Sequence, residues 1–329
     1  MIFIKPSFYD RFKCIASKCK DNCCIGWEID VDDETLEKYN KLNTPFGDEI
    51  RSKITVSLDG SRCFALVENE RCPFLNENNL CRIIINSGED ALCEICKNHP
   101  RFFEWFPGVT ECGLGLSCEE VCRILLSTDE PFSLVSEDDG EGFIIQTDEQ
   151  FEEYDFYDDI AYLRESIFGI LNRSDISFNE KIAEIICEAE NFCGKKIEIL
   201  DFPEVLGIYR KTEPINDQWT TFINALTEVY PELSGKTEEL SEKIDGDSLY
   251  SKILSYMIYR HLTKAVFDNS VSERILFAIE SVRFIRLCDL YTYYIKDELT
   301  LNDRIENLKN WSKQIEYSEE NTELLIYGE

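Results

Sequence analysis

The sequence has no run of about 18 apolar residues, so it offers no membrane-spanning helix. Its opening, MIFIKPSFYD, breaks quickly into lysine, proline and serine and lacks the apolar stretch of a secretory signal peptide. The expected compartment is therefore the reducing cytoplasm. Basic residues are scarce: 34 Lys and Arg stand against 65 Asp and Glu, a net charge of −31. A field of that sign repels phosphate backbones and anionic lipid, so neither nucleic acid nor a membrane surface is an expected partner, whereas a lysine-bearing protein suits it. Histidine is limited to His99 and His261. A glycine-rich nucleotide loop is missing too, because Gly113 and Gly115 lack a third glycine and are flanked by cysteines.

What the chain does have is cysteine. Twelve of its 15 cysteines fall between Cys14 and Cys122. Such a density means disulfides, free thiols or bound metal, and in a reducing compartment metal is favoured. Thiolates are soft ligands that select iron-sulfur clusters, zinc or copper(I). Two groups of four stand out as metal ligands: Cys14, Cys19, Cys23 and Cys24, spaced C-x4-C-x3-CC, and Cys72, Cys81, Cys96 and Cys118. Eight thiolates suffice for two four-cysteine sites, or for one cluster with spare sulfurs. Zinc ribbons pair two CxxC knuckles, but this chain has only Cys93 to Cys96, and the adjacent Cys23 and Cys24 suit a loop around a multi-iron cluster. An iron-sulfur centre, [4Fe-4S] in type, is therefore expected, with zinc as the alternative. Cys63, Cys93, Cys112 and Cys122 stay outside the primary set. Cys187, Cys193 and Cys288 read as small buried hydrophobes.

His99 is a candidate ligand or general base, and Arg101 a candidate for gripping a carboxylate through both guanidinium nitrogens. His261 reads as a satisfied core residue. No residue pattern identifies the pocket of an organic cofactor.

The pattern predicts a mainly α protein of the α+β type, a small cysteine-rich module with short strands packed on an acidic helical bundle. Residues 1–127 form the cysteine-rich metal-binding module, 128–159 an acidic connector, and 160–329 the helical bundle. Of the net charge, −25 lies in residues 128–329, and 129–159 hold 13 acidic residues with no Lys or Arg. Within the module, a helix is expected over Asp32–Leu42, with acid at its positive end. Ile54, Val56 and Leu58 alternate and turn at Asp59-Gly60 into a hairpin with Cys63–Val67. The Asn76–Asn79 turn is expected to bring Cys72 and Cys81 together. A short strand is expected at Phe143–Ile145. Capping boxes at Ser177–Glu180 and Ser270–Glu273 and a C-cap at Gly194 mark helices, with one apolar stripe over Leu249–Val266, giving a bundle of five to seven.

The ordered set Phe12-Lys13-Cys14, Cys19, Asp21-Asn22-Cys23-Cys24-Ile25-Gly26-Trp27, Cys72-Pro73-Phe74-Leu75, Leu80-Cys81, Gly88-Glu89, Cys96, His99-Pro100-Arg101 and Leu116-Ser117-Cys118-Glu119 resembles the cysteine-rich module of the flagellin lysine-N-methylase family, part of a wider group of zinc- or iron-chelating proteins. The resemblance covers roughly residues 8–126. It implies methyl transfer from S-adenosylmethionine to lysine ε-amines of flagellin, by an enzyme carrying an iron-sulfur cluster. The C-x3-C-x2-C spacing of radical S-adenosylmethionine enzymes is absent, and amine methylation needs no radical. Two positions depart from the family pattern, which more often has an aromatic hydroxyl at His99 and a proline at Glu119; the second departure reads as local backbone tolerance. The alternative is a non-catalytic iron-sulfur or zinc module that docks a partner protein.

Overall fold

A computed structural model describes residues 1–57, 60–140, 148–244 and 246–328, the side chains of 148–151 excepted. It is 61% helical with a small mixed sheet, which makes it mainly α as expected. Among the described residues no helix is long and apolar enough to cross a membrane. Among the described residues there are six strands: β1 (Ile2–Pro6), β2 (Ile54–Val56), β3 (Arg62–Phe64), β4 (Arg101–Phe106), β5 (Val109–Leu114) and β6 (Leu134–Asp138).

The chain divides into two compact units, one of Met1–Phe12, Phe103–Ser117 and Val121–Glu329, the other of Lys13–Phe102 with Cys118–Glu120. The cysteine-rich unit is thus shorter at both ends than residues 1–127, because the flanking segments supply strands to the larger unit. There the sheet order is β4-β5-β1-β6. β1 runs parallel to β5, with Ile4 opposite Glu111, and antiparallel to β6, with Ile2 opposite Asp138. Part of the expected connector is therefore structured: β6 fills the free edge of β1 while its acidic side chains stay exposed. The helix Asp148–Leu171 then begins within the same stretch. The strand expected at Phe143–Ile145 lies outside the described residues, as do Leu58 and Asp59 of the expected hairpin.

Ten α-helices follow from Asp148 onward among the described residues, where five to seven were expected, the excess being short pieces such as Thr237–Ile244 and Ala265–Asp268. The Ser177–Glu180 capping box and the left-handed Gly194 C-cap delimit Phe178–Cys193 as expected. Ser270 differs. It precedes the helix Val271–Lys296 but makes no side-chain cap, because its hydroxyl is engaged with Asp268 and Arg274. The helix Asp247–His261 differs from its expected one-sided stripe, since Tyr250 to Tyr259 are all buried. With Val271–Lys296, buried on nearly every face to Tyr291, it forms the core of the larger unit.

Several buried polar groups on these core helices are paired. His261, buried and packed edge-on against Phe277, shares a 2.9 Å hydrogen bond with Glu316, which also pairs with Arg260. Its satisfied core role is thus observed. Burial drives the His261 pKa down to about 4, although Glu316 pulls the other way. Because the unfolded value is near 6.5, the unfolded chain gains the extra proton first as pH falls. Stability is full above about pH 6.5 and is lost on acidification toward pH 4, by an amount on the order of 3 kcal/mol. Urea titrations of the wild type and His261→Gln are expected to show the variant lacking this slope. Equal slopes between pH 6.5 and 4 would remove His261 as its source.

Candidate metal centre

In the smaller unit, β2 and β3 form the expected hairpin, with Thr55 opposite Cys63. Residues 29–31 lie along the other side of β3, Phe64 donating to the Ile29 carbonyl and Val31 to that of Arg62. Alternation along this segment buries Ile29 and Val31. The predicted helix is Asp33–Lys41, capped by Asp32, whose Oδ1 accepts from the Thr35 N–H at 2.8 Å. Asp32 Oδ2 accepts from the Glu94 N–H at 2.9 Å and so also caps the short helix Glu94–Asn98. That single carboxylate fixes Cys93 and Cys96 relative to Tyr39.

Three local devices bring sulfurs together. Gly26, at φ +84°, donates to the Glu70 carbonyl, and Cys72 N–H donates to the Cys24 carbonyl, so the Cys24 and Cys72 segments run side by side. The Asn76 side chain accepts from the N–H groups of Asn78 and Leu80 and closes the turn that returns Cys81 toward Cys72. One helical turn separates Cys93 from Cys96.

Five of these sulfurs share one apolar shell: Cys72 and Cys93 are buried in the core that contains Ile29, Val31, Tyr39, Phe64 and Phe74, and Cys24, Cys81 and Cys96 pack against it. Cys23 lies at its exposed margin. The sulfurs pair. A hydrogen bond with Cys24 holds Cys23 well below the usual thiol pKa, with His99 adding to the effect, while Cys24 is raised by that bond, by burial and by the charges of Cys72 and Cys81. Likewise Cys93 is lowered by its bond with Cys96, and Cys96 is raised by it and by burial. Burial pushes Cys72 up to about 11, with Cys81 and Cys93 contributing. The Tyr39 hydroxyl, fully buried, donates to the Ala91 carbonyl and stands 3.5 Å from Cys93 Sγ.

Of the eight cysteines expected from sequence, Cys23, Cys24, Cys72, Cys81 and Cys96 gather here. Cys93, left outside the primary set, belongs at the centre; its CxxC spacing to Cys96 was the available signal. Cys19 and Cys118 form a separate group with Glu119. Cys19 Sγ lies 3.5 Å from Glu119 Oε2, and burial, with Glu119 and Cys118 adding their charges, pushes its thiol up to about 12. Glu119 is buried and also accepts from the Lys20 N–H at 2.8 Å, so its place is a specific side-chain role rather than backbone tolerance. Cys14 is exposed, its sulfur accepting only weakly from Ala16 N–H at 3.4 Å. His99 sits beside Cys23, its ring 6.2 Å from that of Trp27. Arg101 opens β4, half-buried. Cys63 is buried beside Ser57, and Cys122 donates to the Leu116 carbonyl. Of the three late cysteines Cys288 is buried, Cys193 half-buried, and Cys187 exposed rather than inside.

By chemistry the central donors suit a soft metal or cluster: they are thiols shielded by apolar side chains. Their spacing is open. Among the described residues no three His, Cys, Asp or Glu side chains stand where they would hold one ion.

The molecule is therefore a mainly α protein with a separate cysteine-rich unit whose thiols gather in one apolar shell. It is 30% identical over 138 residues, 40% of the chain, to the flagellar biosynthetic protein FliU of Salmonella muenchen, covering 80% of that protein, and the chain belongs to this family. The lysine-N-methylases of Salmonella typhimurium and Salmonella choleraesuis match at the same identity and length, and the chain spans about a third, 34%, of each. No family model and no solved structure matches it.

Proposed function

We propose that the chain is a protein-lysine N-methyltransferase acting on flagellin or another lysine-bearing protein in the cytoplasm, using S-adenosylmethionine and carrying a cysteine-ligated iron-sulfur cluster. The observation that carries this reading is the similarity to proteins named lysine-N-methylase and FliU. Support for the cluster comes from the shell of thiols, and support for a basic partner from the net charge of −31. Cys24, Cys72, Cys81, Cys93 and Cys96 would hold the cluster, with Cys23 at its rim. When bound, a cluster supplies a Lewis-acidic iron able to hold the donor's amino and carboxylate groups.

In the transfer, a neutral lysine amine attacks the sulfonium methyl, the C–S bond breaks toward sulfur, and the nitrogen then loses a proton. Deprotonation comes first, because an ammonium has no lone pair. His99, beside Cys23, is the candidate acceptor of that proton, and Arg101 a candidate for a carboxylate of donor or partner.

The test is transfer of label from S-adenosylmethionine to flagellin by protein purified without oxygen. Label on lysine is the expected result, and its absence from protein with intact metal content would favour the non-catalytic metal module. The chain's coverage of only a third of the named methylases makes that second reading a specific competitor.

A further inference from the structure

The two outer strands of the larger unit's sheet are built differently. β6 ends one side and carries the exposed Glu137 and Asp138, charges that discourage a further strand. β4 ends the other side, and from Phe103 to Phe106 it reads Phe-Glu-Trp-Phe, with neither lysine nor proline to blunt it. Among the described residues no strand other than β5 pairs with it. The one charge in that span is taken up, since Glu104 pairs with Lys264 at 2.7 Å. Strand alternation puts Phe103 and Trp105 on one face, where their rings stack with centroids 6.3 Å apart at 19°. Trp105 is nonetheless 70% exposed. On the other face the Phe106 ring stacks on that of Phe267 at 5.5 Å and 8°, and Phe267 is 57% exposed. This outer strand thus has a large aromatic ring in water on each of its faces, apolar area that the unit's own core does not use.

We propose that the open edge of β4 takes up an extended, lysine-bearing segment of a partner protein as an additional strand. An edge strand turns alternate peptide groups outward, and these supply the main-chain hydrogen bonds of such an addition. Successive side chains of the incoming strand fall on opposite faces, beside Trp105 on one and Phe267 on the other. A lysine placed there sets its ammonium over an aromatic face, which attracts a cation. Charge decides between a basic segment and a second copy of the chain: a net −31 draws the first and repels the second, which carries the same charge. Methyl transfer has no part in this argument, and a non-catalytic docking module would use the same edge.

Fluorescence anisotropy of a labelled peptide of alternating lysine and threonine, about ten residues long, titrated with the full chain, tests it. The peptide is expected to bind saturably, and its counterpart with glutamate for lysine at least about tenfold more weakly. The lysine peptide N-methylated at every residue keeps the charge but has no main-chain donors, and it too is expected to bind at least about tenfold more weakly. Trp105→Ser and Phe267→Ser change exposed positions, and each is expected to weaken binding about three- to fivefold, the worth of one cation over a ring. Failure of the lysine peptide to bind, equal binding of its N-methylated form, or affinity unchanged in both variants overturns the site. A wild-type dimer in sedimentation that Trp105→Ser dissociates would give the edge to a second copy and overturn it as well. No methyl donor is present in these titrations, so loss of the docking edge and loss of the methylase reading are separate results.

Discussion

Glu111→Ala is expected to destabilise the larger unit by about 3–5 kcal/mol, the cost of leaving a buried charge unpaired. Glu111 projects from β5 with 1% of its surface exposed, and it accepts from Tyr157 at 2.7 Å, from Thr263 at 3.0 Å and from Arg164, itself 2% exposed. Its removal strands a guanidinium whose Nε already lacks a partner among the described residues. For a domain of this size the loss corresponds to a melting shift of roughly 6 to 20 °C. Glu111→Leu combined with Arg164→Met should recover most of it, because an apolar pair of similar volume avoids the desolvation that the ions undergo. Thermal melts of the single and double variants measure the difference. If Glu111→Ala shifts the melt by less than about 2 °C, water reaches the pair and its burial is not maintained in solution.

That buried carboxylate was invisible in the sequence, where Glu111 reads as one more acid beside Cys112. Local signals were legible: the acidic start of the helix expected from Asp32, the Ser177–Glu180 box, the Gly194 C-cap and the β2–β3 hairpin each depend on neighbouring residues. What failed depends on distant partners. The 129–159 stretch looks like a solvated connector because it is so acidic, and the acids of β6 are indeed exposed, yet β6 exists because β1, about 130 residues earlier, offers it an edge. Ser270 resembles a cap until Asp268 and Arg274 engage its hydroxyl. The helix Asp247–His261 shows an apolar stripe, but Ser251, Ser255 and its tyrosines are buried as well because other helices cover its remaining faces. At the thiols, spacing alone ranked Cys14 above Cys93. In burial the fold reverses that order, since Asp32 anchors the start of the helix after the buried Cys93 while Cys14 lies exposed in an irregular segment.

This reversal makes the metal reading testable one cysteine at a time. Cys24→Ser, Cys72→Ser, Cys93→Ser and Cys96→Ser are each expected to abolish or sharply reduce the iron and sulfide, or zinc, of anaerobically purified protein, and Cys14→Ser to leave them in place. Thiols must lose their protons to bind metal, so uptake releases protons and weakens as pH falls. An ion must also draw together donors that stand open, so its binding free energy becomes folding free energy of the smaller unit, about 10 to 16 kcal/mol for structural zinc in small peptides. Chelation is therefore expected to expose the segment Lys13–Phe102 to protease while the larger unit, with its own core, resists. If Cys14→Ser strips the metal and Cys93→Ser does not, the grouping by sequence spacing is right and the apolar shell is only core. If the wild type carries no metal and its sulfurs are found bonded to one another, neither grouping stands.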